Sequence, residues 1–241
     1  MDAGYLGAYR DLYLRHWWWR SREALLTREI ERLAPPGGFG NILDVGSGDG
    51  LFFPALQRFG DPYGIEPAAE ALTPDGPWRQ RIHAGPLDAS FQPGHRFGLV
   101  LALDVIEHLA DPDGFMEHVR RVVEPGGWFV ATVPAFRALW TAHDDLNQHV
   151  TRYRRAEFVS LVASHGLDVV HARYFFVLVA GAKLLVRALE RIRPSPPRPP
   201  ELPSAPVNAT LEWACRAEQV VLGRHAPWFG SSLLLVARVP R

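Results

Sequence analysis

The stretch TAHDDLNQHVTRYRR, Thr141 to Arg155, concentrates His143, Asp144, Asp145, His149, Arg152 and Arg154 in one short polar run. Side chains of these types can bind a metal, move a proton, or simply face water. A metal centre would need His143, Asp144, Asp145 and His149 to converge. The two His are not an i, i+4 helical pair, and the single Cys, Cys215, is far off in sequence. The spacing therefore predicts no metal. The choice between a reactive loop and a solvated surface depends on what lies upstream.

Upstream, LDVGSGDG (Leu43 to Gly50) places Gly46, Gly48 and Gly50 directly after an apolar run ending in an acid. Glycines at a strand-to-helix turn let the backbone bend sharply and approach a ligand closely, at the carboxyl edge of a parallel sheet. A dinucleotide fingerprint would need its third glycine at position 51, which is Leu51. That residue disfavours a nicotinamide oxidoreductase. Glu66 ends the next apolar segment, where a carboxylate accepts hydrogen bonds from ribose hydroxyls. The pair describes a nucleoside site without yet naming its chemistry.

The elements that must position these residues follow from periodicity. Leu25, Leu26, Ile30 and Leu33 form a helical stripe over Arg22–Ala34, which stops before Pro35. Strands are expected at Asn41–Val45, Pro62–Glu66, Arg81–Gly85, Phe97–Leu103 and Trp128–Val133, and at Leu167–Phe175 and Ser231–Val239. Phe97–Leu103 is almost wholly apolar, as a strand buried on both faces should be. Helices are expected over Gly50–Phe59, Asp111–Val123 and Ala156–His165, over Phe176–Arg193, and over Asn208–Gly223. The alternation predicts an α/β protein with a parallel sheet and crossover helices. RPSPPRPPELPSAP, Arg193 to Pro206, is too rich in proline for regular structure. The expected division is a helical lid over residues 1–40, a cofactor-binding core over 41–174, a helical insertion with the proline-rich loop over 175–230, and a last core strand over 231–241.

Lys+Arg and Asp+Glu both number 26, so no basic field argues for a nucleic-acid partner. One Cys excludes an internal disulfide and suits a reducing compartment. The first residues carry charges of both signs and no apolar h-region, and the run from Tyr174 to Ala182 is too short to span a bilayer. The expected location is the cytoplasm. Lys183, Arg187 and Arg191 recur every fourth residue on an otherwise apolar helix, so residues 178–192 are either a lid or a peripheral membrane contact.

Taken in order, LDVGSGDG, GIEP, LALDVIEHLADP and VVEPGGWFVATVP resemble the class I S-adenosylmethionine-dependent methyltransferases. HWWWRSRE, AHDDLNQHVTRYRR and PWFGSSLLLVARV extend the resemblance to a bacterial type 11/12 small-molecule group. The chain departs from that pattern at Gly98, where Asp is frequent, and at Thr151, where Arg is usual. The resemblance implies a Rossmann-like seven-stranded sheet with its last strand antiparallel and helices on both faces. It implies that Gly46, Ser47 and Gly48 wrap the methionine portion of S-adenosyl-L-methionine, with Asp44 orienting it and Glu66 on the ribose. Leu87 and Asp88 would flank the adenine, Asp104 would meet the methionine amino group, and His108 would line the same cleft. Arg22 would take the cofactor carboxylate. The loop after the fifth strand would then cover the acceptor, with His143 and Asp144 as first choice for a proton-removing pair and His149 second. The expected activity is methyl transfer to a small molecule, more readily at oxygen than nitrogen. The alternatives are a non-catalytic cofactor-binding partner protein and a methyltransferase of a lipid-linked substrate at a membrane. Neither the acceptor nor the oligomeric state is legible.

Overall fold

A computed structural model describes residues 3–192, 200–222 and 227–241. Seven strands form one sheet: β1 (Asn41–Val45), β2 (Asp61–Glu66), β3 (Ile82–Ala84), β4 (Phe97–Leu103), β5 (Val123–Pro134), β6 (Asp168–Phe175) and β7 (Ser232–Arg238). Their order is β3-β2-β1-β4-β5-β7-β6. The first five pair in parallel, and β7 runs antiparallel to both β5 and β6. The expected sheet, with its reversed last strand, is the one observed. The strand order reverses between β1 and β4, so a crevice opens beyond their carboxyl ends, where open α/β sheets hold ligands.

Eight α-helices accompany the sheet among the described residues: α1 (Ala3–Arg15), α2 (Trp17–Leu33), α3 (Phe53–Leu56), α4 (Pro112–Val122), α5 (Ala142–Leu146), α6 (Arg155–Ser164), α7 (Val177–Ile192) and α8 (Ala205–Leu222). On one sheet face α4 and α6 bury Phe115, Met116, Val119, Phe158 and Val162. On the other, α2, α3 and α8 bury Leu25, Leu26, Ile30, Phe53, Leu56 and Cys215. Asp111 caps α4, accepting from the Gly114 backbone N–H at 3.0 Å.

Three local expectations change. The helix expected over Gly50–Phe59 shrinks to Phe53–Leu56, because Gly46, Gly48 and Gly50 all hold positive φ and keep the chain turning. Strand β5 starts at Val123 rather than Trp128 and carries Pro125-Gly126-Gly127 within it. The N-terminal stripe begins earlier, at Trp17, where the His16 ring accepts from Trp18 N–H. Gly98 also finds its reason. A Cβ there would sit 2.1 Å from the Phe39 carbonyl oxygen, which is backbone and cannot swing away, so no side chain fits.

Helix α8, between β6 and β7, is bound to the N-terminal helices. Asn208 of α8 accepts from Trp17 N–H at 2.9 Å and donates to the Arg15 carbonyl at 2.8 Å, and Gln219 donates to the Ser21 carbonyl at 3.1 Å. Glu29 of α2 meets His171 and Arg173 of β6 at 3.1 and 3.0 Å. Burial alone would raise Glu29, but these two partners hold its carboxyl down to about 2. Residues 193–199 of the proline-rich stretch lie outside the described residues. No described helix is long and apolar enough to cross a membrane.

The expected basic stripe on α7 is not presented as one free face. Lys183 lines the central cavity, and Arg187 donates to the carbonyls of Arg137 and Ala138. The Arg191 side chain lies outside the described residues. What α7 does expose is apolar: Leu184, Leu185, Val186, Leu189 and Ile192.

Candidate active site at the strand-order reversal

The crevice is a cavity of about 1010 Å³. Strand ends β1, β2 and β4 supply its floor, and α1, α2 and α7 supply its walls. Gly46 follows β1 with φ +74°, and its amide donates to the Ile65 carbonyl at 2.8 Å. A Cβ at Gly46 would lie 2.6 Å from Val105 Cγ2, so the glycine is what lets the turn close against β4. Glu66 takes the Gly48 and Ala68 amides at 2.9 Å each. Its carboxylate is therefore aimed, and each oxygen retains a lone pair toward the cavity.

Asp104 follows β4 with φ +59°, a conformation that a non-glycine residue adopts only when its surroundings impose it. Its amide donates to the Thr132 carbonyl at 2.9 Å, and the Thr132 hydroxyl donates to Oδ1 at 3.0 Å. Oδ2 meets Arg22 Nη2 at 2.7 Å. Arg22 reaches over from α2 beneath the Trp18 ring, its guanidinium carbon 5.5 Å from the ring centroid. Its Nε is buried without a hydrogen-bond partner. Burial pushes Asp44 up to about 7, against the pull of Arg22 and with a further push from Glu66.

At the other end, the capping box of α5 organises the polar loop. Asp144 is fully buried and accepts from Thr141 N–H at 2.9 Å. Arg152, also fully buried at its side chain, forks onto both oxygens at 2.8 and 3.1 Å. His149 Nδ1 completes the set at 2.8 Å from Oδ1. Burial would raise Asp144, but the bonds from His149 and Arg152 hold it well below the usual carboxylate range. An ionised acceptor on Nδ1 requires that nitrogen to carry the proton, which leaves Nε2 as the basic nitrogen of His149. His143, by contrast, has Asn147 Nδ2 at 2.9 Å from Nε2 and no bond to Asp144. Burial and then Lys183 bring His143 down to about 4.

The first-choice pair therefore changes partner: Asp144 orients His149, not His143. The chain reversal at Gln148, φ +58°, folds His149 back over α5, and spacing alone does not reveal it. The four residues weighed as metal ligands do not converge, since Asp144 is saturated and Asp145 accepts from Trp140 Nε1 at 2.9 Å. A different set does. Glu107, His108 and His149 offer ligand atoms all within 4.8 Å of one another. Glu107 is fully buried with both carboxylate oxygens unpaired. Burial, then the charge of Asp104, pushes its carboxyl well above the usual range.

Of the residues expected to hold a cofactor, Arg22, Asp44, Gly46, Ser47, Glu66, Leu87, Asp104 and His108 line the one cavity. Gly48 stands behind it, tied to Glu66. Asp88 is not among the lining residues, and its Oδ1 accepts from the backbone N–H and the hydroxyl of Ser90. His143, His149 and Arg152 line the cavity, and Asp144 holds His149 and Arg152 from behind. Sequence reasoning missed Glu107 and Lys183. The first adjoins a His that the motif already singled out. The second lies one helical turn beyond Val179, and both line the cavity.

A mostly parallel sheet with this strand order, a glycine turn after β1 and an acid at the end of β2 make a Rossmann-like scaffold. Residues 18–172 match the family described as "Methyltransferase domain", and the chain belongs to that family. Among curated relatives, the ubiquinone biosynthesis O-methyltransferase of Azorhizobium caulinodans is 32% identical over 134 residues, 53% of this chain and 49% of that one. Its counterpart in Albidiferax ferrireducens is 28% identical over 71% of this chain and 79% of that one. The chain thus matches about half the length of the first of these relatives. Among solved structures, Haemonchus contortus phosphoethanolamine N-methyltransferase 2, in complex with S-adenosyl-L-methionine, has 15% identity and a TM-score of 0.62, with 100% of this chain and 58% of that one covered. The N-methyltransferase NodS of Bradyrhizobium japonicum, with S-adenosyl-L-homocysteine, has 14% identity and a TM-score of 0.54 over 92% of this chain and 88% of that one. At such identities the two structures speak to the fold.

Proposed function

We propose that this chain is an S-adenosylmethionine-dependent methyltransferase that methylates a hydroxyl of a small molecule, with His149 as the proton acceptor. One observation carries the cofactor half: the Arg22–Asp104 ion pair lies beside the glycine turn, with Arg22 Nε buried and unpartnered. The free amino-acid end of the cofactor carries a carboxylate and an ammonium, and the pair offers one group for each. Glu66, held by two amides, is placed for the ribose hydroxyls, and Leu87 gives the base an apolar wall. When bound, the cofactor supplies a methyl group on a positively charged sulfur with a neutral leaving group. The chain's own part is alignment and proton removal. His149 takes the acceptor's proton at Nε2, and Asp144 stabilises the resulting imidazolium through Nδ1. The relatives' names favour oxygen as the methylated atom. With no net charge across 26 basic and 26 acidic residues, a nucleic-acid acceptor has no support. Peripheral membrane contact through residues 178–192 rests on exposed apolar side chains alone.

Calorimetric titration with S-adenosylmethionine, S-adenosylhomocysteine and NAD tests the cofactor. The adenosyl compounds should bind in the micromolar range, and Glu66→Ala should weaken them by at least about thirtyfold, a loss of roughly 2 kcal/mol for hydrogen bonds to a charged group. Binding of NAD in their place would overturn the reading.

The buried, unpaired Glu107 carboxylate favours a second reading of the acceptor half. Glu107, His108 and His149 would hold a divalent cation, and Asp144 would fix the His149 ring as outer carboxylates do at such centres. The cation would lower the pKa of the acceptor hydroxyl. Dialysis against EDTA separates the readings. Turnover that collapses and returns with Mg²⁺, Mn²⁺ or Zn²⁺ supports the cation, and turnover that is unchanged leaves His149 acting alone.

A further inference from the structure

Lys183 enters the acceptor end of the cavity without a counter-ion. Among the described residues it makes no ion pair and no hydrogen bond. Its position is nonetheless fixed. Arg187, one turn on, grips the Arg137 and Ala138 carbonyls, and Val179, one turn back, lines the same cavity. The acids around it are already committed. Asp144 gives both oxygens to Arg152, His149 and Thr141, and Asp104 is paired with Arg22. His143 beside it is held neutral by burial, and the nearby Arg152 is itself a cation. Burial, then Arg152, pulls the Lys183 ammonium down to about 8, so it stays charged at neutral pH and at a cost that an anion would relieve. The cofactor half, by contrast, holds Asp44 and Glu66. The two ends of one cavity thus have opposite electrostatic needs.

We propose that Lys183 recognises an anionic oxygen group, a carboxylate, on the methyl acceptor. The acceptor is then a hydroxylated acid whose carboxylate docks on Lys183 beneath α7 while its hydroxyl faces His149. Lys183 selects substrate and takes no part in the transfer. This rests on the methyltransferase reading above and narrows its substrate class.

The test uses the full chain saturated with S-adenosylhomocysteine, titrated with 3,4-dihydroxybenzoate and with its methyl ester, which keeps the ring and hydroxyls and removes the charge. The acid should bind at least tenfold more tightly than the ester. Lys183→Met should erase that preference, with S-adenosylhomocysteine affinity within twofold of wild type, and Lys183→Arg should retain most of it. Equal binding of acid and ester, an unchanged preference in Lys183→Met, or no binding of either probe would each overturn the assignment. Failure of the wild type to bind S-adenosylhomocysteine would instead remove the reading on which it rests.

Discussion

His149→Ala is expected to lower kcat for methyl transfer by roughly 10²–10⁴, the range over which a positioned general base contributes. His143→Ala should cost less than about tenfold, because its ring has no carboxylate partner and is held neutral mainly by burial. The contrast follows from the tautomer. A base works when its lone pair faces the proton and its other nitrogen is held, and only His149 has Asp144 on Nδ1. Both variants should bind S-adenosylhomocysteine as wild type does, since neither ring touches the glycine turn or Glu66. The measurement is transfer of a labelled methyl group to an accepted hydroxylated acceptor, with binding measured in parallel. Full turnover in His149→Ala would remove this residue from the chemistry under either reading, as base or as cation ligand. If turnover fell but returned with excess divalent cation, the ring would be acting as a ligand.

Much of this was legible in the sequence where a pattern is local. The strand ends that carry Asp44, Glu66 and Asp104 are read from apolar runs, and the glycine turn from its spacing. Those residues do line one cavity. What was hidden depends on chain reversals and on distant elements. His149 reaches Asp144 only because Gln148 adopts a positive φ. Lys183 read as one cation of a surface stripe, since periodicity reports the side of a helix but not what that side faces. Asp88 lies outside the cavity lining, and Ser90 two residues later engages its Oδ1 locally, a competition typical of short polar side chains in turns. Glu107 could not be found from its own type, because burial of an unpaired acid is a property of packing. Gly98 is the converse case. Its departure from the family pattern is steric: the Phe39 carbonyl occupies the space.

Asp144→Ala should be the most destabilising of the site substitutions, by about 3–5 kcal/mol, since it leaves the Arg152 guanidinium buried without its counter-charge. Arg152 is fully buried at its side chain, and its remaining described bond is from Nη1 to the Ala135 carbonyl at 2.8 Å. The same change removes the acceptor for Thr141 N–H at the start of α5. Urea unfolding followed by tryptophan fluorescence gives the number. A loss below about 1 kcal/mol would mean that water reaches Arg152 and that the pair is no deeper than a surface bridge. The double variant Asp144→Ala with Arg152→Met separates structure from chemistry. Removing both charges should restore most of the stability, as replacing a buried ion pair by an apolar side chain commonly does. Turnover should stay low, because His149 still lacks the carboxylate that sets its tautomer. A double variant that regains both stability and turnover would show that Asp144 serves only to neutralise Arg152. His149 would then need no partner to accept a proton.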